Sequence, residues 1–440
     1  MFFRLSAPAA ALLVSLSAAA QEAPPPAAGA PLPHKSLEDC VATALAHNVE
    51  VLSAGEEVNV AEAQRTEARG MFGPKLHVDA SAQHWNEPYN FQGFPVHDQN
   101  VWNVTASATQ PITTLLAIYD FYKVKDLGVD VAAVKREAAR RVTAAHVIEG
   151  YYRLLQAERL VDVAAASVDQ LNAQLRQANS FHTNGTVSQD DVLRAQLAVA
   201  NAQQRLIQGR ARVDIDRAQL SVLMGLPPDS AIEADPLPAD RPSPRDALSL
   251  AQSEKAAETQ RVELKEVDTR IALADHETKV AYWKLAPQVN LVGAYIHNEG
   301  SLFSQTNAAY VGGTASWDIW DWGTTTGGIS EAKARARQAF LARSKVDDQI
   351  RLEVRQAFVR VETASEAMDV AKVSMASAEE NFRLVKKRYD NSAATSFDVV
   401  DAEGLLTQAR GQMQTALYDF AIARSALRAA MGYAPEALAK

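Results

Sequence analysis

The chain has 440 residues, 47% of them hydrophobic and 22% charged, with a net charge of −9. That is ample for a folded core and carries no basic excess of the kind that nucleic-acid binding needs. Its single cysteine, Cys40, excludes an internal disulfide framework.

The N-terminus places Arg4 ahead of the apolar run Leu5 to Leu16, then Ala18-Ala19-Ala20. Charge, short apolar stretch and small residues form a secretory signal over 1–20, expected to be cut after Ala20. The run falls short of the roughly 20 residues a spanning helix needs. No other apolar run reaches that length, so any membrane crossing must be made with strands. Residues 21–35 are a Pro/Ala-rich leader.

Repeat 1 covers 36–225. Ser36-Leu37-Glu38-Asp39 has capping-box spacing and opens a helix expected to reach about Phe72, where Gly73-Pro74 ends it. Cys40 reads as a free core or interface thiol. Past Pro74 the period falls to two over 75–85 and again over 101–110. Leu76, Val78, Ala80, Ala82, Val104 and Ala106 share the apolar faces; Asp79, Ser81, Thr105 and Ser107 share the polar ones. Such strands suit a transmembrane barrel with lipid outside and a wet lumen inside. They equally suit a soluble hairpin with one wet face.

A helical stretch then runs from about Thr114 to Phe181. Val124, Val131, Ala138, Ala145 and Tyr152 recur every seven residues, and Leu127, Val134, Ile148 and Leu155 fill a second seam with Arg141 as its polar exception. At 1.5 Å per residue this rod is roughly 100 Å long, more than a single globular core requires. A turn at Asn184-Gly185-Thr186 reverses the chain, and Ser188 with Asp191 gives a second capping-box spacing. Residues 226–246 form a Pro-rich linker, followed by repeat 2 over 247–432 and a tail over 433–440.

Repeat 2 copies repeat 1. Asp191 to Asp398 is 207 residues, as is Met224 to Met431, while Pro74 to Pro287 is 213. A unit this long is a duplicated domain rather than a solenoid repeat. Strands are expected at 288–297 and 309–319, and a second tip turn at 391–395, with Asn391-Ser392-Ala393 ahead of Thr395 and Asp398. Val311, Gly313, Ala315, Trp317 and Ile319 share a strand face; Trp317, Trp320 and Trp322 suit either an interfacial aromatic girdle or core packing.

Catalytic motifs are absent. There is no Gly-x-Ser-x-Gly, no Cys-x-x-Cys, no phosphate-binding Gly-Lys-Ser/Thr loop and no paired-His zinc motif. His276-Glu277 is half of His-Glu-x-x-His, but position 280 is Val; His146-x-x-Glu149 reads as a solvated or lumen-facing pair. Neither an enzyme nor a cofactor is expected.

In this arrangement the sequence resembles the TolC family of outer membrane efflux proteins. The resemblance runs from Ser36 to Gly432. It is carried by Pro74 and Pro287, the strand ends Gln110-Pro111 and Trp320-Asp321-Trp322-Gly323, the two tip turns, and the closing Leu223-Met224-Gly225 and Ala430-Met431-Gly432. It implies a mainly α fold with a transmembrane β part: two tandem repeats of long antiparallel coiled-coil-like helices with two strands each. It further implies a homotrimer, one twelve-stranded β-barrel in outer membrane lipid, and an α-helical tunnel across the periplasm. The implied partners are a periplasmic adaptor (membrane fusion) protein and an inner-membrane pump. The tips Asn184, Gly185, Thr186, Asn391, Ser392 and Ala393 would dock the adaptor, and Asp79, Ser81, Thr105 and Ser107 would line the barrel lumen. Asp191 and Asp398 would cap their helices, or latch a gate with Arg383, Lys386, Lys387 and Arg388. Two departures stand out: the second tip has no glycine, and it is approached by basic residues where family members often carry acidic rings. The competing reading is a soluble periplasmic coiled-coil scaffold or adaptor without a pore, which would have no use for the alternating strands.

Overall fold

The structure, a computed structural model, describes residues 34–230, 232–236, 249–301, 304–391 and 393–438. The signal, the leader before His34 and linker residues 237–246 lie outside them. β1 (His34–Lys35) precedes α1 (Leu37–His47) and α2 (Val49–Gly70). Strands β2 (Lys75–His84), β3 (Tyr89–Phe91) and β4 (Phe94–Pro111) follow, then the long hairpin α3 (Thr114–Thr183) and α4 (Gln189–Leu223). β5 (Glu233–Ala234) pairs in parallel with β1. Repeat 2 contains α5 (Leu250–Gln260), α6 (Val262–Trp283), β6 (Gln288–Ser301), β7 (Asn307–Ser316), α7 (Thr324–Asp390) and α8 (Ser396–Ala430). The tail holds a short α9 (Pro435–Leu438), whose Pro435 and Leu438 are buried.

The helix expected over 36–72 is two helices. Asn48 leaves the helical region (φ −66, ψ 131) because its side chain has better partners. Its Oδ1 accepts from Glu50 N at 2.9 Å, capping α2, and its Nδ2 donates to Leu223 O at 2.8 Å. Repeat 2 breaks at the matching place, Arg261 (φ −72, ψ 121). Against each break lies a left-handed glycine, Gly225 (φ +74) or Gly432 (φ +84). A Cβ on Gly225 would sit 2.3 Å from His47 O, and one on Gly432 would sit 2.9 Å from Gln260 C. Arg141, the polar exception in the α3 seam, donates through Nη1 to Gln260 O at 3.0 Å and Gly432 O at 2.7 Å. That satisfies helix-end carbonyls that would otherwise be orphaned.

The strands form one antiparallel path β2-β4-β6-β7, with β3 attached to β4. β4 and β6 run longer than expected, while β7 stops at Ser316, so Trp317 and Ile319 lie beyond it. Trp317 Nε1 donates to Leu285 O at 3.1 Å. Trp320 and Trp322 are exposed rather than packed into a core.

The helices lie side by side. Toward the tips the row is α4, α3, α8, α7; nearer the sheet it is α2, α3, α6, α7. The main core clusters Cys40, Ala44, Val147, Ile148, Tyr151, Leu154, Leu220, Met224 and Ile232. A second, in repeat 2, gathers Ala257, Val354, Leu427 and Met431. Cys40 is a fully buried core thiol, and burial pushes its pKa up to about 11. Two glycines separate backbone strain from steric clash. Gly185→Ala meets open space and should cost only the left-handed penalty, roughly 1–2 kcal/mol. Gly225→Ala also drives a Cβ into His47 O and should lower the thermal midpoint considerably more, read by circular dichroism at 222 nm.

Candidate functional site

Two places carry the residues singled out by the sequence: the helical tips and the faces of the sheet. At the first tip, α3 ends in a Schellman arrangement. Gly185 N donates to His182 O and Thr186 N to Phe181 O, both at 2.9 Å. Gly185 (φ +71) supplies the left-handed residue that this closure needs. Asn184, Gly185 and Thr186 are all exposed. At the second tip Ala393 N donates to Arg388 O at 2.8 Å, the same long-range closure, and Asn391 Nδ2 donates to Lys387 O at 2.8 Å. Asn391 and Ala393 are exposed; Ser392 lies outside the described residues.

Both return helices start with a full capping box. Asp191 N donates to Ser188 Oγ at 3.3 Å, and Asp191 Oδ2 accepts from Ser188 N at 3.1 Å and Ser188 Oγ at 2.8 Å. Asp398 Oδ2 likewise accepts from Thr395 N and Thr395 Oγ1, both at 2.8 Å. Asp thus serves where Glu or Gln is usual. The hydrogen bonds from Thr395 hold the Asp398 carboxyl below its ordinary pKa, with a smaller contribution from Arg388.

The basic residues are not brought onto Asp191. Arg383 pairs with Glu380 on its own helix at 2.6 Å, and Asp190, not Asp191, pairs with Arg194 at 2.8 Å. Among the described residues no ion pair joins Asp191 to Arg383, Lys386, Lys387 or Arg388. The group that does approach is one the sequence reading missed. Tyr389 is buried in α7, and the Asp191 charge reinforces the effect of burial in raising its hydroxyl pKa. Gln174 and Ser396 face the same hydroxyl. Tyr389 Oη, Gln174 Nε2 and Ser396 Oγ are buried together. The helical phase held the signal: Tyr389 lies seven residues after Phe382 and four after Val385, both half-buried on the packed side of α7.

On the sheet, Asp79 stands opposite Thr105, Ser81 opposite Asn103, and Ser107 opposite His77. Direct partners in an antiparallel pair share a face, so these polar residues form one continuous surface, with Val78, Ala80, Val104 and Ala106 on the other. Thr105 Oγ1 donates to Asn103 Oδ1 at 3.1 Å, and Asn103 Nδ2 donates across to Asn298 Oδ1. The separation blurs in repeat 2. Ile296 and Ala294 continue the Thr105 face, whereas Tyr295 and His297 continue the Val104 face.

The sequence matches the outer membrane efflux protein family over residues 40–226 and 255–433, more than half of the chain. The chain belongs to that family. As a member it is an efflux channel protein of the outer membrane and not an enzyme, and the scaffold reading is not favoured. Nodulation protein T of Rhizobium leguminosarum bv. trifolii is 21% identical over 413 residues, covering 92% of this chain and 87% of its own. The outer membrane protein VceC of Vibrio cholerae has a TM-score of 0.78 at 18% identity, over 90% of this chain and 96% of that one. The CmeC outer membrane channel of Campylobacter jejuni has the same TM-score and identity, over 90% of this chain and 85% of its own. At such identities the structures show a shared fold.

The capping geometry gives a pH expectation. A carboxyl with a depressed pKa stabilises fully above its unfolded value, and loses that effect as pH falls through the folded value. Amide protection in the first turn of α8, measured by hydrogen exchange, should therefore persist through the ordinary carboxylate range near pH 4 and fail only in stronger acid. Thr395→Ala should move that loss to higher pH.

Proposed function

We propose that this protein is the outer membrane component of a tripartite efflux or type I secretion system. In this reading it is a passive trimeric conduit, docked through its tips on a periplasmic adaptor and an inner-membrane pump. The observation that carries it is the alignment of open edges. The sheet ends in β2 and β7, the upper helix row in α2 and α7, and the lower row in α4 and α7. The helix edges are apolar and bare. Leu193, Leu197, Ile207, Ile215 and Val222 are exposed on α4; Leu341, Leu352, Val359, Val370 and Val373 are exposed on α7. Four strands are too few to close a pore-sized barrel, and unpaired edges are not tolerated in lipid. An edge that fits a different edge of the next copy makes a head-to-tail contact, and such contacts form a ring when the rotation between copies closes. Three copies give the twelve strands expected of this family.

The Thr105 and Asp79 face then lines the lumen and the Val104 and Ala106 face meets lipid. Asn184, Gly185, Thr186, Asn391, Ser392 and Ala393 end the periplasmic tunnel and meet the adaptor. Purified protein should run as a trimer in detergent, with both helix and strand signal. Arg on the lipid face near the midplane should cost about 2–4 kcal/mol, and much less in the lumen. Ala106→Arg should therefore lose heat-resistant trimers on a gel while Thr105→Arg keeps them. Equal assembly of the two would reverse the assignment of faces.

Asp191 is the proposed latch. Its in-chain neighbour is Tyr389, and its charged partners in this reading are Arg383, Lys386, Lys387 and Arg388 of a neighbouring copy. Asp191→Ala should raise single-channel conductance in planar bilayers and lengthen open times, with trimer stability little changed. Unchanged conductance with a lower melting temperature would leave Asp191 as a helix cap only.

A further inference from the structure

The repeats agree residue for residue in register. The ten β2–β4 pairs, from Lys75↔Thr109 to His84↔Asn100, recur in β6–β7 from Gln288↔Ser316 to His297↔Asn307. The offsets are the 213 and 207 residues read from the sequence, as Lys75 to Gln288 and Thr109 to Ser316 show. Side-chain bonds recur as well. Gln110 Nε2 donates to Phe72 O at 3.0 Å, and Trp317 Nε1 donates to Leu285 O at 3.1 Å.

Repeat 1 meets repeat 2 along one seam, made by β4 on β6, α3 on α6, and α3 on α8. Carried forward by the same offsets, that seam becomes β7 on β2, α7 on α2, and α7 on α4 of another copy. Those are the three pairs of open edges. Burial follows suit. Val134 is 7% exposed in the seam, while its counterpart Leu341 is 67% exposed. Ser167 donates to Glu403 Oε1 at 2.7 Å, both buried, whereas their counterparts Ser374 and Gln196 are exposed. Equivalent positions are covered in the seam and bare at the edge.

We infer that successive copies join in the register of the β4–β6 seam, with Thr314 directly opposite Ser81 of the next copy. This rests on the trimeric reading above and adds its residue pairing. From Ser107↔Ala294 and its neighbours, Ser316 faces Asp79 of the next copy and Gly312 faces its Gln83. On the other side of the sheet Gly313 faces its Ala82 and Ala315 its Ala80. Thr314 and Ser316 meet polar partners, Gly312 leaves room for Gln83, and on the other side small apolar residues meet small apolar. A slip of one residue would set every pair on mismatched faces. Down the helices, the Ser374 hydroxyl meets the Gln196 amide of the next copy, which can accept as Glu403 does.

A slip of two residues would keep the faces matched, so cysteine pairs must separate the alternatives. In a Cys40→Ala background, full-length protein in outer membrane vesicles carries Thr314→Cys with Ser81→Cys, Asp79→Cys or Gln83→Cys. Copper-phenanthroline oxidation and a non-reducing gel follow. The Ser81 pair should convert the monomer band to dimer and trimer bands, and the other two should leave it largely intact. Preferential linkage through Asp79 or Gln83 would overturn the register while leaving the trimer. Ser374→Cys with Gln196→Cys tests the same seam outside the barrel, and its failure to link in assembled trimers would overturn the helical part. A monomer of the unsubstituted protein in detergent would overturn both this pairing and the conduit.

Discussion

A strand edge in hydrocarbon leaves backbone N–H and C=O groups with no partner, at several kcal/mol for each group. In this chain that constraint falls on β2 and β7. Within the proposed membrane setting it makes association obligatory, and the helices follow from it. A sheet that must continue into another copy dictates which helices stand at the border, and α2, α4 and α7 carry their exposed apolar side chains there. The long hairpins are individually weak structures. Their hydrophobic stripes are narrow, and much of the apolar surface of α7 is unburied in a single chain. On the proposed trimeric reading, their stability as a tunnel depends on closure of the ring.

Duplication explains how one chain meets this constraint with so little specialised sequence. Each unit supplies two strands to the path of the sheet, a long helical hairpin and a short broken helix. The junction between units is used once within the chain and, on the proposed reading, once between chains. The copies then diverge where the two uses differ. Within the chain, Asp120 on α3 accepts from His276 Nδ1 at 2.8 Å and Trp283 Nε1 at 2.7 Å, a buried polar pin between α3 and α6. The corresponding position on α7 is Gly327, which has open space around it. A seam that never parts can hold a carboxylate whose hydrogen bonds must all be satisfied. A seam assembled from separate molecules has small residues at that level instead.

The sequence carried the large features because they are periodic or repeated. Helical seams, alternating strands and the offset between copies each draw on many residues, so one exception such as Arg141 does not hide them. What it did not carry depends on single long-range contacts. At Asn48 the only local sign of a break is a cap-type side chain, which bonds Glu50 N; its other partner, Leu223, lies far along the chain. Arg261 breaks the second copy without any side-chain cap. Strand faces were clear in repeat 1, where small apolar and hydroxyl residues alternate cleanly, and blurred in repeat 2, where Tyr295 and His297 fall on the Val104 side. At the tips the capping boxes were legible from a three-residue spacing. Tyr389 was legible only as a packed position in the phase of Phe382 and Val385, and its approach to Asp191, Gln174 and Ser396 depends on residues distant in the chain.

Capping does not exclude the latch proposed for Asp191. A carboxylate offers two oxygens with about four acceptor sites. In Asp191 both capping hydrogen bonds fall on Oδ2, and Oδ1 accepts none among the described residues. The same division holds in Asp398, where Thr395 occupies Oδ2 alone. The cap therefore fixes the rotamer and leaves the second oxygen free for a group on a neighbouring helix. Pre-orientation by the cap lowers the entropy lost when such a contact forms, since the aspartate is already held. Breaking the contact leaves the helix start intact, so a tip built this way can open without unfolding.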